Sequence, residues 1–193
     1  MFILALFASG AGTNVENIIN YFNPPTKNIT VGAVFANNPH AGAIERAQRA
    51  GIPVHIFNRN DFYHTGNVLE KLQEYRIDAI VLAGFLWLAP DRLIQLFPHR
   101  ILNIHPALLP AYGGKGMYGM HVHRAVIANR ERESGITIHE VNSEYDSGKI
   151  IFQTACAITP GDTPETLAAK VRRLEYQHFP RVIEEWANSL MDA

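Results

Sequence analysis

Phe2-Ile3-Leu4-Ala5-Leu6-Phe7-Ala8-Ser9-Gly10-Ala11-Gly12-Thr13-Asn14 is the stretch that decides the fold. From Phe2 to Phe7 the run is unbroken and apolar, as in a parallel strand covered on both faces. Two glycines follow, and then Ile18, Ile19 and Phe22 recur at helical spacing. Thr13 or Asn14 is expected to cap this helix, and Asn23-Pro24-Pro25 to end it. Strand, glycine turn and helix together make an anion cradle: the glycines let backbone N–H groups approach a ligand, and the helix N-terminus favours negative charge. The same pattern also fits a tight turn that serves packing alone.

The size of the guest follows from what the turn lacks. Read as G-x-G-x-x-G, it supplies Gly10 and Gly12 but Val15 at the third position, and the next strand, Ile29 to Phe35, ends in Ala36-Asn37-Asn38 with no acid for a ribose diol. A dinucleotide is therefore disfavoured. Gly114-Lys115 lacks the earlier glycine and the following Ser or Thr of a Walker A loop. A single phosphate remains.

Outward from the turn, helix and strand alternate. A helix from Ala41 to Ala50 closes at Gly51; a strand at Val54 to Phe57, a helix from Asn67 to Tyr75 and a strand at Ala79 to Ala83 follow. Right-handed crossovers then put helices on both faces of the sheet, with ligands beyond the carboxyl ends of the strands. Gly84-Phe85-Leu86-Trp87-Leu88-Ala89-Pro90 falls at one such end; its large apolar groups suit either the core or a slot for a flat heterocycle. The expected class is α/β: a Rossmann-like, mostly parallel twisted sheet with helices on both faces and a C-terminal antiparallel hairpin.

After a short helix near Asp91 to Phe97 comes Leu102-Asn103-Ile104-His105-Pro106. In a strand Asn103 and His105 share a face while Leu102 and Ile104 take the other, and Pro106 ends the ladder. Taken alone, Asn-x-His favours a hydrogen-bonded core histidine. Tyr112 to Met120 is glycine-rich and reads as a flexible loop or lid. His105, His121 and His123 could ligate a metal, but no acidic or Cys partner lies nearby, so no metal is expected. Ile136 to Val141 and Ile150 to Ala157 make a hairpin whose loop carries Asp146-Ser147-Gly148. Thr163-Pro164 opens a long helix that Pro180 should kink or split, and on which Arg172 and Glu175 read as a surface ion pair.

Composition narrows the partners. With 193 residues, 47% hydrophobic, the chain suits one compact domain. Seventeen basic against 18 acidic side chains leave a net charge of −1, which excludes a broad nucleic-acid or membrane footprint and favours small-molecule substrates. Cys156 lies in an apolar run, as a buried inert thiol would. Met1 to Ala8 is too short to span a bilayer and lacks basic flanks, so a cytoplasmic location is expected.

The Ser9-Gly-x-Gly-Thr-Asn14 turn, Leu82-Ala-Gly-Phe85, Asn103-Ile-His105-Pro-x-Leu-Leu-Pro110 and Asp146-x-Gly148, in this order over nearly the whole chain, closely resemble the folate-dependent formyltransferase family in its glycinamide ribonucleotide branch. The resemblance implies transfer of a formyl group from 10-formyltetrahydrofolate to the amine of glycinamide ribonucleotide, without metal. It implies Asn103, His105 and Asp146 as catalytic, and Gly12, Thr13, Asn14 and Glu175 as contacts to the ribonucleotide. It implies folate contacts from Leu86, Trp87 and Leu88 and from Asn142, Ser143, Glu144, Tyr145 and Asp146. Residues 1–100 would form the phosphate-binding half of a single domain and 101–193 the catalytic and folate-binding half. A homodimer is allowed. Trp87 stands where a basic residue is expected, the Tyr112 to Met120 loop is longer than in better-known members, and the Asn58 to Gly66 region offers no evident basic contact for the folate tail. The tRNA-formylating branch would call for a further RNA-binding domain, whereas this chain ends at Ala193 soon after its last helix.

Overall fold

The computed structural model describes residues 1–23 and 28–192; the expected Pro24-Pro25 stop lies outside them. Seven described strands, β1 (Phe2–Ala8), β2 (Ile29–Ala36), β3 (Val54–Ile56), β4 (Ala79–Leu82), β5 (Ile101–His105), β6 (Glu133–Glu140) and β7 (Ile150–Ala157), form one sheet in the order β3-β2-β1-β4-β5-β6-β7. The first five in that order run parallel, and β6 and β7 add antiparallel. From β1 the chain builds toward β3 on one side and, after β4, toward β7 on the other. The carboxyl ends of β1 and β4 therefore flank the switch point where such sheets open a crevice.

The helices are α1 (Thr13–Phe22), α2 (Gly42–Arg49), α3 (Arg59–Tyr63), α4 (Asn67–Glu74), α5 (Asp91–Leu96), α6 (Met120–Ala128) and α7 (Pro164–Met191). Strand alternation divides the core in two. On one face Leu4, Leu6, Val34, Val81, Leu102 and Ile104 pack with residues of α1, α2, α6 and α7; on the other Phe7, Phe35, Ile80 and Ile101 pack with residues of α3, α4 and α5. Each fully buried large side chain contributes roughly 1.5–3 kcal/mol, so a sheet covered on both faces has ample material for a rigid platform. Phe7 and Phe35 stack across β1 and β2 with ring centroids 4.8 Å apart.

Several local expectations change. Neither Thr13 nor Asn14 caps α1: the cap is Gly12 at φ 74°, with no side-chain cap bond, because Asn14 is already inside the helix and its amide is used elsewhere. Pro180 does not split α7, which runs continuously from Pro164 to Met191. Proline removes the N–H that would bond the carbonyl four residues back, here Tyr176, and Asn17 Nδ2 of α1 donates to that carbonyl at 3.1 Å instead. Arg172 and Glu175 do not behave as a surface pair, since Glu175 is half-buried and accepts from Asn14. Two helices escaped the sequence reading: α3, closed by an Asn58–Asp61 capping box, and α6, which takes over directly where the glycine-rich loop ends.

Candidate active site

The cradle comes first along the chain. Gly12 is required twice over, by its positive φ and because a Cβ there would lie 2.3 Å from Ala43 Cα at the start of α2. Gly10, by contrast, has nothing near its would-be Cβ and opens onto the crevice. The turn is tied across the switch point to the loop after β4: Ser9 N–H donates to the Gly84 carbonyl at 3.0 Å, and Leu86 N–H to Ser9 Oγ at 3.0 Å. Asn14, just inside α1, donates from Nδ2 to Glu175 Oε2 at 2.9 Å, which joins the cradle to α7. Burial pushes the Glu175 carboxyl up, against the opposing pull of Asn14 and Arg172.

The second group is assembled by strand register. Asn103 on β5 pairs with His139 on β6, and His105 with Thr137. Thr137 is fully buried and pins the turn that follows His105: its hydroxyl donates to the Ala107 carbonyl at 2.7 Å and accepts from Leu109 N–H at 3.0 Å. Asn103 Nδ2 lies 3.0 Å from His139 Nε2, while His139 Nδ1 lies 2.8 Å from the Glu140 carbonyl. A carbonyl only accepts, so Nδ1 carries the proton and Nε2 accepts from the amide. One N–H of Asn103 is thereby used for orientation and the other is left for a ligand.

Asp146 reaches the pair from the β6–β7 hairpin. Its Oδ2 is 3.5 Å from His105 Nδ1 and its Oδ1 is 3.6 Å from His139 Nε2. Gly148 fixes this hairpin, because a Cβ there would sit 1.8 Å from the Glu140 carbonyl oxygen. Burial pushes the Asp146 carboxyl up, but positive charge on the His139 or His105 ring, together with the Gly114 N–H, outweighs it and brings the group below its usual range. His105 goes the other way from the simple expectation that a carboxylate raises an imidazole. Burial, with only 3% of the residue exposed, outweighs the pull of Asp146 and the Tyr112 carbonyl and lowers its pKa. The ring is therefore neutral at rest beside an ionised carboxylate.

The cradle and the Asn103–His105–Asp146 group open into one cavity of about 630 Å³. Of the residues singled out from sequence, Gly12, Thr13, Asn14, Glu175, Asn103, His105, Asp146, Leu86 and Tyr145 line it. Trp87, Leu88, Asn142, Ser143 and Glu144 are not among the lining residues. Trp87 packs beside Phe57, Phe62, Tyr63 and Phe85, with the Arg59 guanidinium 4.9 Å from its ring centre. Sequence reasoning passed over Arg59 and its α3 helix. It also missed His139, although Thr137 and His139 alternate with Ile136 and Ile138 and so had to share a face. The loop after Tyr112 forms one wall from Gly114 to Met120, and Arg172 and the buried His123 complete the rim toward the cradle. Among the described residues no three His, Cys, Asp or Glu side chains converge as metal ligands.

The formyl transferase family model matches residues 3–183, and the chain belongs to that family. Within it, the chain is similar to proteins named phosphoribosylglycinamide formyltransferase. It is 43% identical over 185 residues to the chloroplastic protein of Arabidopsis thaliana, covering 93% of this chain and 63% of that one. It is 33% identical over 190 residues to the Escherichia coli (strain K12) protein, covering 96% and 87%. The crystal structure of glycinamide ribonucleotide transformylase 1 from Symbiobacterium toebii superposes with a TM-score of 0.89 at 31% identity, covering 98% of this chain and 89% of that one. The chain spans 63% and 59% of the length of the two plant relatives that it matches.

Proposed function

We propose that this chain transfers the formyl group of 10-formyltetrahydrofolate to the amine of 5-phosphoribosylglycinamide by direct amine attack, as a step of purine biosynthesis. The observation that carries the reading is that Asn103, His105 and Asp146 line the same cavity as the Gly10 to Asn14 turn. A substrate with a phosphate at one end and an amine at the other would have a group to offer to each. Buried Asn14 Oδ1 and His123 Nδ1, both without a hydrogen-bond partner among the described residues, mark polar demand that a ribonucleotide would meet. The names of the relatives support the same substrate.

In this reading Gly12, Thr13 and Asn14 hold the phosphate at the α1 N-terminus, and Glu175 contacts the substrate toward its amine. Leu86, Tyr145 and Asp146 flank the pterin; Trp87, Leu88, Asn142, Ser143 and Glu144 belong to the same two loops and shape them from behind. 10-formyltetrahydrofolate supplies the formyl group. Asn103, oriented by His139, donates its second N–H to the negative charge that develops on the formyl oxygen. His105 starts neutral, takes up the proton that the attacking amine loses, relayed through water, and returns it to the departing folate nitrogen. Asp146 stabilises the imidazolium between those two steps. The 3.5 Å gap from Asp146 to His105 exceeds a hydrogen bond, and such pairs are often loose in unliganded sites and tighten around substrate. No step calls for a metal.

Residues 1–100 thus serve chiefly the ribonucleotide and 101–193 chiefly the chemistry. The partners are small molecules, and the site is cytoplasmic. Among the described residues no helix is long and apolar enough to cross a membrane. The test is loss of 10-formyltetrahydrofolate with and without 5-phosphoribosylglycinamide. Loss only in the presence of the ribonucleotide is expected; loss without it would make the protein a hydrolase, and none with it would end the transferase reading.

A further inference from the structure

We propose that Tyr112 is a positioning residue, whose backbone segment Tyr112-Gly113-Gly114 sets the proton placement and geometry of the His105–Asp146 pair and is held in place by the phenol. The inference rests on the reading of His105 and Asp146 as catalytic. Three residues of backbone touch both members of that pair. The Tyr112 carbonyl lies 2.8 Å from His105 Nε2, and the Gly114 N–H donates to Asp146 Oδ2 at 2.9 Å. Because a carbonyl cannot donate, the neutral ring must carry its proton on Nε2. Nδ1 is then the basic nitrogen, and it is the atom that faces Asp146, at 3.5 Å. If the ring took the other tautomer, an N–H would point at Asp146, the Nε2 lone pair would face the carbonyl, and no basic nitrogen would remain on the side where the carboxylate can stabilise a gained proton.

Gly113 lies between these two contacts, where a Cβ would come within 2.6 Å of Leu109 Cδ2 and 3.2 Å of Asp146 Cβ. The segment therefore passes directly against the Asp146 side chain, and a shift at its start would be transmitted to both groups. Its start needs an external hold. Tyr112 sits at φ 56°, a left-handed conformation that a bulky residue adopts at an energetic cost. Its ring leaves the site altogether: the phenol donates to Glu131 Oε1 at 2.6 Å and accepts from Asn129 Nδ2 at 2.9 Å, beyond the end of α6. A strained backbone whose side chain is anchored at a remote point is over-determined, as a carbonyl with a fixed target must be. The ring packs against the core and does not line the cavity, and the phenol's hydrogen bonds go to Glu131 and Asn129, so its hold on the site runs through its own main chain.

The experiment pairs kinetics with a direct reading of the tautomer. In 15N-histidine-labelled protein without ligands, the His105 ring is expected to show Nε2 protonated and Nδ1 bare. Tyr112→Phe, which removes the anchor and keeps the carbonyl, should give mixed tautomers. It should also lower kcat about tenfold, with the KM for 5-phosphoribosylglycinamide changed less than about twofold. Glu131→Gln, which still accepts from the phenol, should leave both readouts as they are in the unsubstituted protein, while Glu131→Ala should behave like Tyr112→Phe. An unaltered His105 signal together with an unaltered kcat in Tyr112→Phe would overturn the proposal. So would a fall in kcat with the Nε2–H form intact, which would mean that Tyr112 acts by another route. The tautomer is read without turnover, so a wild-type protein that fails to transfer formyl would refute the proposed function and leave this result standing on its own.

Discussion

The two ends of the cavity are built in different ways. The cradle at Gly10 to Asn14 is made of backbone from one continuous stretch, so its chemistry is written in consecutive residues. The proposed catalytic end is made of side chains from β5, β6 and the β6–β7 hairpin, brought together by antiparallel register across 36 and 43 positions of sequence, as the Asn103–His139 and Asn103–Asp146 numbering shows. A backbone cradle tolerates change in its side chains but not at Gly12, whose positive φ and contact with Ala43 leave no room for a Cβ. A side-chain cluster has the reverse sensitivity. Substitutions at the two ends should therefore fail in different measurements.

The largest effect is expected at the catalytic end. Asn103→Ala or His105→Ala should cut turnover by about two to four powers of ten while the ribonucleotide dissociation constant changes little; equal losses in binding would mean that the two ends are not separable. Asp146→Asn should cost about a hundredfold in kcat and also shift the pH profile. In the proposed mechanism His105 begins neutral, so the rate is expected to fall on the acid side as the ring protonates, and burial puts that limb below the ordinary imidazole range. Asp146 pulls the His105 pKa up, so its neutralisation moves the limb to still lower pH. A limb that moved upward in Asp146→Asn would contradict the assignment.

At the cradle, Gly12→Ala meets both a positive φ and the Ala43 backbone at 2.3 Å. It should destabilise the fold by about 2–4 kcal/mol and weaken ribonucleotide binding more than it lowers kcat, read by thermal unfolding and titration. The smallest effect serves as a control. Asn17→Ala leaves the Tyr176 carbonyl opposite Pro180 without its donor and should cost about 0.5–1.5 kcal/mol of stability, with kinetics unchanged.

Sequence reading succeeded where a physical constraint sits in neighbouring residues. The Phe2 to Phe7 run, the glycine turn and the proline after His105 each speak through local sterics, and together they gave the parallel sheet, its crevice and the Asn103–His105 face. Gly148 did the same for Asp146, since only glycine fits against the Glu140 carbonyl. What stayed hidden depended on packing across the fold. Alternation in β6 puts Thr137 and His139 on one polar face, but nothing local says what that face meets; both are buried, Thr137 against the turn after His105 and His139 against Asn103 and Asp146. Gly113-Gly114 and the neighbouring glycines concealed the start of α6 by making the whole stretch read as loop. Pro180 argued for a break in α7 that Asn17, 163 residues earlier in the chain, makes unnecessary. Even the direction of the His105 pKa required the structure, since burial and a neighbouring carboxylate pull oppositely and only the geometry says which prevails.

The central claim is that the formyl group crosses directly from one ligand to the other between these two ends. A single-turnover experiment with formyl-labelled 10-formyltetrahydrofolate, quenched at intervals in acid, tests it most directly. Label should leave the folate and appear on 5-phosphoribosylglycinamide at the same rate, with none on precipitated protein. Label accumulating on the protein, or released as formate in step with folate loss, would contradict the account.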